Sequence, residues 1–159
     1  MENLIKFLEE NARYTNEEIA VMLNTSADEV AKQIRKLEND GVIRGYKAII
    51  DREKLSVNFV EALIELKVTP KRDFGFDEIA QKISEYPEVE DVNLMSGTYD
   101  LSLIITGKTF KDIALFVSQR LAVLDGVVST ATHFVLSRYK EKGVIMQDTA
   151  TDERGNASL

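Results

Sequence analysis

Two helix-start signals stand so close together in this chain that the segment between them must turn sharply. Thr15 precedes Glu18 at the capping-box spacing, and Ser26 precedes Glu29 in the same way. In such a box a hydroxyl and a carboxylate each accept a backbone N–H that the first helical turn leaves unpaired. The first box opens a helix carrying Ile19, Ala20, Met22 and Leu23, ended by Asn24 and Thr25. The second opens a helix at Ala27 or Asp28 in which Val30, Ile34 and Leu37 form one apolar stripe, and Gly41 supplies a left-handed stop. Upstream, Leu4, Ile5, Phe7 and Leu8 recur at helical spacing between Glu2 and Ala12, which predicts a short amphipathic helix. Three short helices with a tight turn between the last two follow the helix-turn-helix plan, in which the final helix lies in the major groove of DNA.

With successive residues about 100° apart around the helix, Lys32, Arg35, Lys36 and Asn39 project opposite the stripe, and Asp28 lies nearest the helix start. Ile43 to Asp51 then adds Arg44 and Lys47 around Gly45, as expected of a wing that touches backbone phosphate. The expected DNA contacts are therefore Ser26, Asp28, Lys32, Arg35 and Lys36, with Arg44 and Lys47 on phosphate. Spacing alone leaves open an ordinary three-helix unit with a solvated cationic face. Net charge limits the mode of binding. The chain carries -7; residues 1–52 hold eight Lys and Arg against ten Asp and Glu, and the remainder twelve against seventeen. Neither part is basic, so a polybasic mode is excluded and phosphate contacts must come from a few placed side chains.

Cysteine is absent, which removes disulfides, thiol catalysis and thiolate metal sites and suits a reducing, cytoplasmic setting. No apolar run approaches the roughly 20 residues that span a bilayer. No histidine pair or carboxylate cluster offers a metal site, and no glycine loop for a nucleotide is present, so no cofactor is expected. His133 is the one histidine, on a strand face with Ser129, Ala131 and Val135, where a buried or interface role is commoner than catalysis.

After a polar stretch at 52–58, read as a hinge, the apolar period changes from helical to alternating. Val60, Ala62, Ile64, Leu66 and Val68 share one strand face, and Phe59, Glu61, Leu63, Glu65 and Lys67 the other. A helix is predicted over 76–84, strands over 89–95 and 99–106 joined by a turn at Ser96-Gly97-Thr98, a helix over 108–124 and a last strand over 127–137. Strand, helix, strand, strand, helix, strand is the ferredoxin-like βαββαβ plan, with both helices on one face of an antiparallel sheet. The fold class is thus α+β: a winged helix-turn-helix domain over 1–51 and a ferredoxin-like domain over 59–142. Phe59 and Leu63 on the uncovered face point to a second copy of the sheet as its cover, and a homodimer or higher homo-oligomer also suits a reader of palindromic sites. Residues 143–159 are polar and rich in small side chains, and read as a disordered tail.

The run from Ser26 to Asp51 resembles the signature of the leucine-responsive regulator and AsnC family of transcription factors. Ser26, Val30, Ile34, Leu37, Glu38, Gly41, Val42, Ile43, Gly45, Tyr46, Ala48, Ile50 and Asp51 carry the match, and Asn11-Ala12-Arg13 resembles the end of that family's first helix. Gln33 stands where the family usually has arginine, and the short acidic lead-in to its first helix is missing; the first departure weakens phosphate contact and the second leaves helix one open to fraying. The resemblance covers residues 2 to about 142 and implies a regulator whose partners are double-stranded DNA and a small effector, an amino acid. It also implies that the G-x-Y-D turn, here Gly97, Tyr99 and Asp100, borders the effector pocket between subunits. From the residues alone, Ser96, Gly97, Thr98, Tyr99 and Asp100 form a turn whose amide and carboxylate match the two charged ends of an amino acid. The plainer reading is that Gly97 supplies a positive φ and Asp100 caps the turn. Two other functions share the architecture: a ligand sensor acting through a partner protein, and an enzyme of the sirohaem-decarboxylase kind, which would need basic or histidine side chains around an acidic tetrapyrrole.

Overall fold

Residues 2–69 and 75–147 are described by a computed structural model. The chain divides between Ala48 and Ile49 into two compact units.

The first unit contains α1 (Glu2–Glu10), α2 (Asn16–Leu23) and α3 (Ala27–Asn39). Its core is small: Leu4, Ile19, Ala20, Val30 and Leu37 are buried, and Ile5, Leu8, Tyr14, Leu23, Ala27, Ile34 and Ile43 pack around them. The predicted apolar stripe of α3 is the one that faces inward. Thr15 and Glu18 form the full box, with the Glu18 amide donating to the Thr15 hydroxyl at 3.2 Å and the Thr15 amide to the Glu18 carboxylate at 2.8 Å. Asn24 takes the left-handed conformation, φ 51° and ψ 52°, and the Thr25 amide returns to the Ala20 carbonyl, so α2 ends abruptly enough for Ser26 to cap the next helix.

The box at Ser26 is only half made. Its hydroxyl accepts the Glu29 amide at 3.2 Å, but the Glu29 carboxylate accepts from the Gln33 side-chain amide at 3.1 Å instead of returning to the cap. Gly41, at φ 67°, closes α3 with the Val42 amide on the Leu37 carbonyl at 2.9 Å. Beyond it, the segment expected as a wing forms no strand among the described residues, because no neighbouring strand of its own unit is available to pair with it.

The second unit is the βαββαβ sheet with its helices. It holds β1 (Val60–Val68), α4 (Asp77–Ser84), β2 (Val89–Leu94), β3 (Leu101–Gly107), α5 (Phe110–Phe116) and β4 (Val127–Phe134). Strand order is β2-β3-β1-β4 with every pair antiparallel. The alternation predicted for β1 holds: Ala62, Ile64, Leu66 and Val68 are buried against Leu101, Leu103 and Ile105 of β3, Ile83 of α4, and Ile113 and Phe116 of α5. Both helices therefore lie on that face. On the opposite face Leu63 stands between Ile104 on β3 and His133 on β4.

Three features differ from expectation. The second helix is opened by a box the sequence reading passed over, Thr109 with Asp112, and after Phe116 it loosens into a π-helical turn at Val117–Leu121. The stretch read as a hinge is held by the second unit: Asp51 caps a short 3-10 turn at Arg52–Lys54, and the Arg52 guanidinium lies 4.2 Å from the Phe59 ring centre. The stretch read as a tail begins with structure. Lys140–Glu141 (β5) and Val144–Ile145 (β6) pair through a turn at Lys142 and Gly143, both with positive φ, the pattern of a two-residue hairpin. Arg138 fastens this hairpin by pairing with Glu61 of β1 and with Glu141 at 2.7 Å. Residues 148–159 of the expected tail lie outside the described residues.

Candidate nucleic-acid interface and effector turn

On the first unit the outward face of α3 is held ready by its caps. Asp28, Lys32, Arg35 and Lys36 are all exposed. Among the described residues the side chains of Lys32, Arg35 and Lys36 have no hydrogen bond or ion pair, whereas the Arg120 side chain is taken up by Glu88 at 2.9 Å and that of Arg138 by two glutamates. Three unspent cations on a rigid helix are available to phosphate oxygens or base edges. Ser26 is exposed, but its hydroxyl is used as the cap acceptor. Gln33 is half-buried on the flank of the helix and tied to Glu29, so the departure from the family pattern falls beside the cationic face.

The residues expected on phosphate are placed differently from those on α3. The Arg44 guanidinium folds back over the helix stop, close enough that a methyl group on Gly41 would come within 3.1 Å of its Cζ. There it sits at the negative end of the α3 dipole. Lys47 is exposed and makes an interaction within the protein.

One pair went unread in the sequence. The Tyr46 hydroxyl donates to the Glu38 carboxylate of α3 at 3.0 Å. Partial desolvation of the hydroxyl, and then its bond to the Glu38 carboxylate and that group's charge, raise the Tyr46 pKa above the ordinary phenol value. Both residues belong to the signature run, yet no spacing rule says that a residue beyond the glycine stop returns to the helix it left.

In the second unit the turn at 95–100 closes the β2–β3 hairpin. Asp100 clasps the end of β1: its amide donates to the Leu66 carbonyl at 2.9 Å and its carboxylate accepts the Val68 amide at 2.8 Å. One carboxylate oxygen is thus used at the β1 irregularity between Lys67 and Val68. Ser96, Gly97 and Thr98 are exposed and Tyr99 is half-buried. Gly97 does not have positive φ, and a Cβ there would meet nothing within 4 Å. Nothing in this chain requires glycine at that point, in contrast to Gly41, and the space above the turn is open.

Other places offer less chemistry. His133 is exposed on the uncovered sheet face, 3.5 Å from Glu65. A small cleft of about 110 Å³ is lined by Val68, Thr69, Gly75, Glu78, Ile79, Lys82, Leu124 and Asp125. Its two carboxylates against one lysine suit an acidic tetrapyrrole poorly. No group of three or more metal-ligating side chains occurs among the described residues, and no helix there is long and apolar enough to cross a membrane.

Comparison with known proteins covers both units. Residues 2–44 match the winged helix-turn-helix DNA-binding model, and residues 61–145 match the Lrp/AsnC ligand binding domain. The HTH-type transcriptional regulator YugG of Bacillus subtilis is 47% identical over 152 residues, covering 95% of this chain and 92% of its own. LrpA of Pyrococcus abyssi is 30% identical over 137 residues, covering 86% and 94%. The transcriptional regulator NMB0573 of Neisseria meningitidis, solved in complex with L-Met, superposes with a TM-score of 0.70 at 25% identity over 87% of this chain and 88% of that one. With both units matched and relatives aligned along most of its length, the chain belongs to the Lrp/AsnC family of transcriptional regulators.

Proposed function

We propose that this regulator acts in the cytoplasm as a homodimer or larger homo-oligomer, presents α3 to the major groove, and changes its DNA affinity when an amino acid binds at the 96–100 turn. The observation that carries the DNA reading is the unpaired trio Lys32, Arg35 and Lys36 on the outward face of a helix fixed at both ends. An acidic chain has no long-range attraction to DNA, so these local charges, doubled by pairing two heads, supply the affinity. Ser26 and Asp28 stand at the helix start where base edges are met. Arg44 and Lys47 reach phosphate by leaving their present contacts.

The effector reading is supported by the open space over Gly97, by the second oxygen of the half-buried Asp100 carboxylate, and by the amino acid bound in the Neisseria relative. The uncovered sheet face supports self-association, since Leu63 and Ile104 are only half-buried there. Catalysis plays no part in this reading.

The test is a gel shift on DNA selected by the full-length protein from a random pool. Replacing Lys32, Arg35 and Lys36 together by Ala should abolish the shift at moderate salt. For the wild type, log affinity should fall with log salt by about 0.9 for each phosphate neutralised. Unchanged binding in the triple variant would overturn the assignment of the reading face, and a flat salt response would favour a regulator acting through a partner protein.

A further inference from the structure

The chain leaves α3 at Gly41 and, before the first unit ends at Ala48, touches the end of the same helix twice, once by packing and once by a hydrogen bond. Arg44 lies over Gly41, and the Tyr46 hydroxyl bonds to Glu38 at 3.0 Å. Between the two contacts is Gly45, around which a Cβ would meet nothing within 4 Å, so the backbone there has room to swivel once the Tyr46 bond is released. Tyr46 and Glu38 are both exposed. A bond at the surface contributes little to folding, so stability does not account for its placement.

Its position accounts for it better. Only Lys47 and Ala48 separate Tyr46 from the division between the units, so its bond to Glu38 sets the direction in which the last residues of the first unit leave the axis of α3. We propose that Tyr46 and Glu38 are positioning residues that determine which separation of DNA half-sites the paired protein accepts. This rests on the paired-head reading above. Two recognition helices meet successive major grooves only when they are held about 34 Å apart, or a multiple of that distance. A swivel at the exit of each head spreads that separation, and a tight complex with one spacing becomes weaker complexes with several. The bond acts on geometry between heads, and contributes nothing to contacts made by one head.

The experiment uses the full chain and duplexes that carry one selected half-site, or two at a series of separations. Wild type should prefer one separation by about tenfold or more over separations half a helical turn away. Tyr46→Phe removes only the hydroxyl; it should bind a single half-site within about twofold of wild type, lose about fivefold at the preferred separation, and flatten the spacing profile. Glu38→Ala should do the same, whereas Glu38→Gln keeps an oxygen acceptor and should restore the wild-type profile. An unaltered profile in Tyr46→Phe and Glu38→Ala overturns the proposal, and so does an equal loss on single and paired half-sites, which would mean that the bond merely supports α3. Absence of any spacing preference in wild type overturns the paired-head reading and this proposal with it.

Discussion

Asp100 carries one role that the structure shows, the cap, and one that is proposed, the effector contact. Its carboxylate caps the end of β1 through the Val68 amide, yet the cap occupies one oxygen and leaves the charge in place beside an open turn. Substitution separates the roles. Asp100→Ala leaves a half-buried amide unpaired and should cost about 1–2 kcal/mol of stability together with any effector response. Asp100→Asn keeps an acceptor for Val68, so its melting temperature should stay near wild type while the shift induced by amino acids disappears. A thermal-shift screen of the common amino acids on both variants checks this, and a retained shift in Asp100→Asn would move the effector elsewhere. Gln33 also resolves at this scale. Its amide donates to Glu29, which explains both why the second capping box is half made and why the departure from arginine leaves the cationic face of α3 intact.

Among elements, α3 matters most, and both of its ends are defined by backbone chemistry. The stop at Gly41 combines φ 67° with the Arg44 guanidinium packed over it. Gly41→Ala forces a side chain into the left-handed region and presses on Arg44, so it should destabilise the protein by about 1 kcal/mol and weaken DNA binding in parallel. Urea unfolding and gel shift on the same preparation check the pairing of the two effects; full stability with lost binding would contradict it. The helix boundaries were legible because Thr15, Ser26, Asn24 and Gly41 are all residues with a specific end chemistry. The π-helical turn after α5 was not, since nothing in Val117 to Leu121 departs from an ordinary helical pattern.

For the whole molecule, the proposed self-association rests on the sheet face opposite the helices. Leu63 and Ile104 stand at its centre, flanked by His133 and Glu65. Replacing both Leu63 and Ile104 by Arg should leave the fold intact, because neither enters the core, and should yield monomers in sedimentation equilibrium with a loss of about tenfold or more in affinity for paired half-sites. A dimer that survives would place the interface on another surface. Much of the molecule follows from local sequence. The three-helix head and the order of strands are determined there, because caps act within a few residues and the alternation of β1 has one buried face. Choices between competing partners, some a helical turn away and some far along the chain, decided the rest. Glu29 chooses Gln33 over its own cap, Asp100 reaches β1, residues 52–58 join the second unit, and the stretch after Gly143 pairs as a hairpin held through Arg138 and Glu61. Sequence states what each of these groups can bond to; which partner arrives within reach is settled only when the chain has folded.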